Sequence, residues 1–169
     1  MINITSKSRY ALKIMVDLAA HEQSGKQQRL DIAERQGIPP DYIDQILSRL
    51  RQSELVTSIR GRNGGFILGR PASEISVWDI FSAAEDTLYP VQCIESSNCL
   101  GGYLCSTRDI WLDLFSDLRK NLQKKTLAQL ATLWKKPEDL AMMTGFETLC
   151  ECKAPIKSGL EARLNEARR

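Results

Sequence analysis

The stretch DYIDQILSRLRQSELVTSIRGRNGGFILGR, residues 41–70, decides the fold because its apolar pattern changes from helical spacing to that of strands. Its first part carries the apolar residues of one helix face, which are Ile43, Ile46, Leu47 and Leu50. From Leu55 to Arg60 the pattern is typical of a strand, and Phe66 to Arg70 forms a second such run. Glycines in the GRNGG sequence between them permit a tight turn. The sequence therefore predicts a helix followed by a β-hairpin.

Two further helices are predicted before this stretch. Apolar residues recur at helical spacing from Ser8 to Glu22, and a shorter helix runs from Arg29 to Gln36 and stops at Gly37. Pro39-Pro40 then opens the third helix, where proline is tolerated because first-turn amides have no intrahelical partner. Helix, helix, turn, helix and hairpin in this order form a winged helix-turn-helix. The predicted fold class is mainly α, with a β-hairpin wing, over residues 1–72.

Helical periodicity resumes after Pro71. The segment ISVWDIFSAAED, residues 75–86, predicts a helix, and a longer one runs from Thr107 to Lys125. The apolar stripe of the longer helix consists of Trp111, Leu114, Phe115, Leu118 and Leu122. Periodicity alone fits two roles for this stripe equally well: covering the core, or pairing with its copy in a dimer. We assign residues 73–134 to this second region and residues 135–169 to a polar tail.

Composition bounds the class of protein. The hydrophobic content of 43% supports a folded core, and the net charge of +2 indicates no partner by itself. The N-terminus lacks the apolar run of a signal peptide and no segment is predicted to span a membrane, so we expect a cytoplasmic protein. With a single histidine, His21, no Ser-His-acid arrangement can be argued, and no GxxxxGK[ST] loop is present. An enzyme is not expected.

The hairpin and the helix before it are strongly basic. Residues 49–70 contain one acid, Glu54, and five arginines: Arg49, Arg51, Arg60, Arg62 and Arg70. Polar residues on the outward face of the third helix suit the major groove, while Arg60 and Arg62 on either side of Gly61 suit phosphates or a minor groove. A solvated charged loop is the alternative. Because the basic run lies where a helix-turn-helix needs it, DNA binding is favoured.

Three cysteines stand in one loop with five residues between each pair: Cys93, Cys99 and Cys105. Zinc sites usually use C-x2-C pairs, whereas this wider loop, with Gly101-Gly102, suits a polynuclear iron–sulfur centre. Buried unligated thiols, a zinc ion or a redox disulfide remain alternatives on spacing alone. A further pair, Cys150 and Cys152, lies in the tail.

The motifs together resemble the Rrf2 family of bacterial transcription regulators. The resemblance rests on TSKSRYALKIMVDLA, DIAERQGIPPDYIDQILSRLRQSELVTSIRGRNGGFILGRP, ISVWDIFSAAED and the C-x5-C-x5-C loop, within residues 1–134. It implies a homodimer whose interface is the long helix with Trp111, Leu114, Phe115, Leu118 and Leu122. It also implies an iron–sulfur cluster, 2Fe-2S or 4Fe-4S, held by Cys93, Cys99 and Cys105. The recognition-helix positions carried over are Tyr42, Asp44, Gln45, Ser48 and Arg49, and Arg60 matches the family's minor-groove arginine.

This chain departs from the family at the fourth cluster ligand. Iron–sulfur-sensing members use a histidine three residues after the third cysteine, where this chain has Arg108. Nitric-oxide-sensing members can use an aspartate of the partner's first helix, where Arg9 stands here. Arginine stays protonated and cannot ligate iron. The remaining candidates are Asp109, Cys150, Cys152 or a small exogenous molecule.

The sequence therefore predicts a dimeric DNA-binding transcription regulator, a repressor, controlled by an iron–sulfur cluster that senses iron–sulfur status, iron, redox state or nitric oxide. Asp44 can accept a hydrogen bond from cytosine N4 but repels phosphates, so we expect it to affect site preference more than affinity. One alternative is a regulator whose thiols act through a disulfide or zinc. A second is a protein-interaction module with structural cysteines.

Overall fold

The computed structural model describes residues 4–61, 64–95 and 105–134, and of Gln92 and Cys93 it describes the backbone alone. The helices and strands within these ranges are α1 (Ser6–Ala20), α2 (Arg29–Gln36), α3 (Pro40–Gln52), β1 (Val56–Ile59), β2 (Gly65–Leu68), α4 (Val77–Ala84), α5 (Gln92–Glu95), α6 (Arg108–Gln123) and α7 (Leu127–Thr132). Short 3-10 turns occupy Glu22–Ser24 and Ala72–Glu74. The predicted winged helix-turn-helix is confirmed. Arg62, Cys99, Cys150, Cys152 and the predicted tail lie outside the described residues.

Helices α1, α2, α3 and α4 enclose one apolar core. The predicted inner face of α3 is buried, with Ile43 and Leu50 fully inaccessible to solvent. Pro40 is in the first turn of α3, as the helix-start signal predicts. The core is completed by the apolar faces of the other helices and by Leu55 and Val56 from the start of the wing. Periodic burial of apolar side chains thus supplies the main driving force for folding.

The wing is a two-stranded antiparallel hairpin that a third segment anchors to the body. Val56 pairs with Leu68 and Ile59 with Gly65. On the other edge of β2, Phe66 exchanges two backbone hydrogen bonds with Gln27, whose N–H donates to Phe66 O at 2.9 Å and whose carbonyl accepts from Phe66 N at 2.8 Å. A Cβ at Gly65 would lie 2.8 Å from Gln27 O, so glycine permits this close approach.

A buried ionic network ties α1 to α2 and to the segment that pairs with the wing. The Asp17 side chain is fully buried and accepts hydrogen bonds from Arg35 Nε at 3.0 Å, Arg35 Nη2 at 2.7 Å and Gln36 Nε2 at 3.0 Å. Arg35 Nη2 also donates to Gln27 Oε1 at 2.9 Å. The hydrogen bond with Asp17 raises the pKa of Arg35 above its ordinary value. The carboxylate therefore has a compensating charge and satisfied acceptors, as a buried ion requires.

Helix α4 and the segment after α6 close the described part of the fold. A capping box between Ser76 and Asp79 starts α4, and a second one between Thr126 and Gln129 starts α7. The two helix starts are joined because Val77 N donates to Lys125 O at 2.9 Å and Leu127 N donates to Ile75 O at 2.8 Å. Helix α7 then packs on α1.

Element boundaries differ from the sequence-based expectations by a few residues. Helix α1 begins at Ser6, not Ser8, because the Thr5 side chain accepts from Lys7 N and caps the first turn. Helix α4 ends at Ala84, since Glu85 leaves the helix with an extended backbone. Among the described residues, no helix is both long and apolar enough to cross a lipid bilayer.

The Asp17 network generates a stability prediction. Replacing Asp17 by Asn removes the charge that compensates Arg35, and we expect the free energy of unfolding to fall by about 3 kcal/mol, since one member of a buried ion pair is left uncompensated. Glu34→Gln is the matched control because Glu34 is an exposed carboxylate on the same helix as Arg35, and its loss should cost less than about 0.5 kcal/mol. Urea unfolding followed by circular dichroism measures both; equal effects of the two substitutions would contradict the role of Asp17.

Candidate DNA interface and cysteine site

The outward face of α3 contains most of the predicted DNA-contacting residues, but they differ in accessibility. Asp44 and Gln45 are exposed, whereas Tyr42, Ser48 and Arg49 are half-buried. The ring of Tyr42 packs edge-to-face against Tyr10 of α1, with 5.6 Å between ring centroids. The accessible polar surface is therefore centred on the second turn of α3. This helix can present two neighbouring hydrogen-bonding side chains to the edges of base pairs.

The Asp44 carboxylate has a cationic partner that the sequence analysis missed. Arg29 Nη1, at the first residue of α2, donates a hydrogen bond to Asp44 Oδ2 and forms an ion pair with it. The helix-turn-helix geometry brings the start of α2 beside the first turns of α3. Fifteen positions separate the two residues along the chain, so no local motif signals the pair.

Arg49 is held by the end of α4, which differs from the free outward position predicted for it. Its Nη1 donates to Ala84 O at 3.1 Å and to Asp86 Oδ1 at 2.8 Å. Lys7 Nζ lies 3.6 Å from Asp86 Oδ2. The Arg49 hydrogen bond, together with the charges of Arg49 and Lys7, lowers the pKa of Asp86 below its ordinary value. The helical period placed Arg49 on the edge of the outward face, and the acidic end of α4 lies against that edge.

We call Glu85 and Asp86 the acidic junction, because they follow α4 directly and bind two other helices. One oxygen of Glu85, Oε1, accepts from Thr5 N at 3.0 Å, Thr5 Oγ1 at 2.6 Å, Ser8 Oγ at 2.7 Å and Ser8 N at 3.4 Å. Burial favours a higher pKa for Glu85, but these four hydrogen bonds outweigh it and hold the pKa below its ordinary value. The junction thus fixes the N-terminus of α1 and the outer edge of α3 to α4.

The tip of the wing carries the predicted minor-groove arginine. Arg60 is exposed and directly precedes Gly61, whose φ of +117° is a backbone conformation that glycine adopts readily. Gly64 N donates to Gly61 O at 2.8 Å, so the tip is a closed turn. Arg60 therefore projects from a narrow hairpin, which is the shape that phosphate or minor-groove contact needs.

Among the three cysteines of the loop, Cys105 is the one whose side chain the structure describes. The residue is half-buried, its thiol is accessible to solvent, and Sγ lies 3.4 Å from Thr107 Oγ1. Hydrogen bonds from Thr107, with smaller contributions from the backbone and charge of Arg108, lower the pKa of Cys105 below its ordinary value. A thiolate is the form that binds metals and reacts with oxidants.

The backbone of Cys93 lies in α5, which packs against α6. Within the described ranges, no three histidine, cysteine or acidic side chains lie close enough together to hold a metal ion. The donor chemistry of Cys105 nevertheless fits an iron–sulfur cluster or a redox thiol. Arg108 is half-buried and Asp109 is exposed beside it. Arg9, at the other position where the family can supply a ligand, donates from Nη2 to Ser6 Oγ at 3.3 Å.

Helix α6 has two apolar sides, whereas the sequence analysis assigned its stripe to one interface. Phe115 stacks on Tyr89 at 4.4 Å between centroids and meets Trp78 of α4 edge-to-face at 5.6 Å, while Leu122 packs on the core. Trp111 and Leu118 are half-buried on the same side. Ile110 and Leu114 instead form an exposed apolar edge, with 65% and 43% of their surfaces accessible. Phe115 and Leu122 thus serve this chain's own packing.

Comparison with known proteins agrees with this architecture. The family model Rrf2, described as an iron-dependent transcriptional regulator, matches residues 4–133. The HTH-type transcriptional regulator IscR of Serratia proteamaculans is 42% identical over 129 residues, which are 76% of this chain and 79% of that protein.

Two solved structures have the same fold. The first is CymR, the global cysteine regulator of B. subtilis, with a TM-score of 0.67 and 30% identity over 80% of this chain and 100% of that one. The second is IscR of T. potens, with a TM-score of 0.62 and 31% identity over 78% of this chain and 85% of that one. The family model and these relatives are transcription regulators, which agrees with the expectation from the sequence that the chain is not an enzyme.

The acidic junction generates a prediction for stability and its pH dependence. Because the pKa of Glu85 is depressed in the folded state, its contribution is complete above the ordinary glutamate pKa of about 4.3 and is lost as the pH falls through the lower folded value. We expect Glu85→Gln to lower the free energy of unfolding at pH 7 by about 1 kcal/mol, a figure reduced for partial solvent exposure.

Denaturant unfolding of both proteins at pH 7 and at pH 3 measures this effect. The wild type should lose more stability than Glu85→Gln between the two pH values, so the two curves converge in acid. Glu95→Gln, which changes an exposed glutamate on α5, is the control and should follow the wild type. A constant difference between wild type and Glu85→Gln at all pH values would contradict the role of the ionised carboxylate.

Proposed function

Because the chain belongs to the Rrf2 family of transcription regulators, we propose that it is a homodimeric repressor whose binding to operator DNA is controlled by an iron–sulfur cluster. The observation that carries the proposal is the combination, in one chain, of an accessible polar face on a winged helix-turn-helix with the Cys105 thiol, which lies just before α6 and 3.4 Å from Thr107 Oγ1.

DNA would be read by α3 and held by the wing. Asp44 and Gln45 occupy the accessible turn of α3, where Gln suits adenine and a carboxylate suits the cytosine amino group. Tyr42 and Ser48 lie at the edges of the same face. Arg49 would contact DNA when its hydrogen bonds to Ala84 and Asp86 are released. Arg60 and its neighbour Arg62 would approach phosphates or the adjacent minor groove.

Cys93, Cys99 and Cys105 would hold the cluster, and the lowered pKa of Cys105 favours the thiolate that such ligation needs. When bound, the cluster would supply a centre that is sensitive to iron supply, oxidants or nitric oxide. Arg108 and Arg9 cannot be ligands, so Asp109 is the candidate among the described residues for a fourth position. Cys150, Cys152 and a small molecule are the other candidates.

The acidic junction would couple the cysteine segment to the DNA-binding surface, because it contacts both α1 and α3 and directly precedes that segment. The chain runs from Asp86 to Cys93 without another helix until α5. A change in the position of this segment would act on Asp86, and through it on Arg49 of α3, while Glu85 would act on the start of α1. Control of DNA affinity would then be a coupling between two sites through one short segment.

The exposed edge of α6 supports the homodimer. Ile110 and Leu114 are large apolar residues that stay exposed to solvent among the described residues, and helix pairing around a two-fold axis would bury them. Trp111 and Leu118 border this edge, so they would contribute at its margin. A dimer also matches two-fold operators, whose half-sites are read by two identical heads.

A thiol-based regulator without a cluster is the second candidate. CymR, one of the structural neighbours, is named a cysteine regulator, and the Cys105 thiol has the lowered pKa that oxidation to a disulfide would use. In that case the cysteine loop would respond through a disulfide or through zinc.

The first experiment separates these candidates on anaerobically purified full-length protein. Iron, sulfide and zinc are assayed on one sample together with the absorption spectrum, for the wild type and for Cys105→Ala. Matched iron and sulfide that are lost in Cys105→Ala support the cluster. A colourless protein that stays without iron after anaerobic reconstitution would overturn the cluster and leave the thiol candidate.

DNA binding is tested separately by the salt dependence of affinity for an operator selected from random duplexes. We expect Arg60→Gln to weaken binding roughly tenfold and to reduce the slope of log affinity against log salt by about one unit, because one phosphate contact is lost. Lys124→Gln, an exposed cation that directly follows α6 and lies outside α3, the wing and the segment paired with it, is the control and should leave the slope unchanged. Equal slopes for wild type and Arg60→Gln would remove Arg60 from the interface.

The dimer is tested on the exposed edge of α6. A charge introduced by Leu114→Glu would be buried without a partner, so we expect the dimer dissociation constant to rise roughly 100-fold, equivalent to about 2.8 kcal/mol. Leu112→Glu places the same charge on another exposed leucine of α6, at 38% accessibility, away from the Ile110 edge. Sedimentation equilibrium should show dissociation for Leu114→Glu alone. If both variants dissociate equally, or neither does, the interface lies elsewhere.

A further inference from the structure

We propose that Arg29 and Asp44 form one recognition unit, so that Arg29, which lies outside the recognition helix, helps to determine which operator sequences the protein accepts. The proposal rests on the DNA-binding function proposed above. It assigns a specificity-determining role to a residue of α2 that the sequence analysis did not consider.

The position of the pair places it within reach of DNA. Arg29 begins α2, and Asp44 lies in the second turn of α3, beside the exposed Gln45. Their side chains are 46% and 50% exposed, so the ion pair is at the surface and makes no part of the core. A surface ion pair contributes little to the free energy of unfolding, so stability alone does not account for this pair.

Charge gives the pair a different chemistry from that of Asp44 alone. A single carboxylate on a recognition helix repels the phosphates on both sides of the groove and can only accept hydrogen bonds. With Arg29 bound, the local net charge is zero and the repulsion is largely cancelled. The carboxylate keeps acceptor capacity for an amino group such as cytosine N4 or adenine N6.

The guanidinium adds donors next to that acceptor. Arginine has five N–H donors, and Asp44 is the partner that the described residues supply, through Nη1. The remaining N–H groups can reach a phosphate oxygen or the acceptors N7 and O6 of guanine. The unit therefore presents donors and an acceptor side by side, a pattern that neither residue presents alone.

The unit predicts a specific non-additive response to substitution. Arg29→Gln would leave a bare carboxylate facing the phosphates, so affinity for the selected operator should fall about tenfold at low salt. Adding Asp44→Asn to Arg29→Gln removes the bare carboxylate, and we expect most of the lost affinity to return. Asp44→Asn in the wild-type background frees the Arg29 cation but also removes the carboxylate that orients it. We therefore expect base preference to change, while any gain in mean affinity stays well below the tenfold recovery that the same substitution produces in Arg29→Gln.

A conservative variant separates recognition from charge. Arg29→Lys keeps the positive charge but loses the planar array of donors that contacts a carboxylate and a base together. We expect its mean affinity to stay within about threefold of the wild type while its base preference at the positions facing α3 changes. A residue with a purely structural or purely electrostatic role would not change base preference in this way.

The experiment uses the full-length protein and a library of random duplexes long enough for two half-sites. Selection and affinity measurements are made for wild type, Arg29→Gln, Arg29→Lys, Asp44→Asn and the double variant. Arg51→Gln, alone and with Asp44→Asn, is the matched control, because Arg51 is an exposed arginine of α3 outside the pair. The effects of Arg51→Gln and Asp44→Asn on DNA affinity should add, so that the double variant agrees with their combined effect within about twofold.

The outcomes distinguish this inference from the proposed function. Recovery of affinity in the double variant, with altered base preference in Arg29→Lys, supports the recognition unit. If the wild type binds DNA but the effects of the Arg29 and Asp44 substitutions on affinity simply add, the recognition unit is overturned. The proposed DNA-binding function then still stands. A wild type that binds no duplex more tightly as salt is lowered overturns both. Thermal unfolding of each variant verifies that the fold is retained, and Arg29→Lys provides the test if Arg29→Gln does not fold.

Discussion

The buried carboxylate of Asp17 constrains the geometry of the whole winged helix-turn-helix. It binds Arg35 and Gln36 of α2, and Arg35 binds Gln27, whose backbone pairs with β2 of the wing. A buried charge tolerates little displacement of its partner, because separation leaves both ions desolvated and uncompensated. The Asp17 network therefore limits how far α1, α2 and the segment that pairs with the wing can shift relative to one another. Apolar packing around α3 makes the domain stable, and this network makes its arrangement specific.

A second polar centre relates the DNA-binding surface to the rest of the chain. Glu85 and Asp86 stand where α4 ends, and between them they hold the start of α1 and the outer edge of α3. These contacts are at least partly exposed to solvent, so they are weaker than the Asp17 network and can exchange partners at lower cost. A stable helical core that meets the cysteine segment through a weaker polar junction suits a protein whose DNA binding is regulated.

Helical and strand periodicity predicted the elements well, because burial of a continuous apolar face leaves a regular spacing in the sequence. Ile43 and Leu50 of α3 are buried as that spacing requires. The same reasoning did not predict that Asp17 is buried. Its position, three residues after Ile14 and one before Leu18, nevertheless places its carboxylate on the buried side of α1. A charged residue at such a position signals a buried partner, and the partner is eighteen residues away on another helix.

The candidate site was predicted less completely than the fold. The sequence placed Asp44 and Gln45 on the accessible face of α3, and Arg60 at the tip of the wing, since helix period and turn chemistry are local properties. It gave no sign of Arg29 beside Asp44, and it treated Arg49 as freely outward. Periodicity left core packing and dimer packing equally open for the five stripe residues of α6, and the resemblance favoured the dimer; the structure shows that Phe115 packs on Trp78 and Tyr89 of its own chain. Each difference concerns a side-chain contact between two different elements, which the local spacing of residues does not encode.

The sequence by itself determined the order of helices and strands, the buried face of α3 and the family to which the chain belongs, because these follow from local spacing and motifs. The tertiary structure alone decided which charges meet: Asp17 with Arg35, Asp44 with Arg29, and Asp86 with Arg49. The physical reason is that an ion pair depends on the distance between two side chains in space. That distance is set by how the helices pack, and no periodicity in the sequence encodes it.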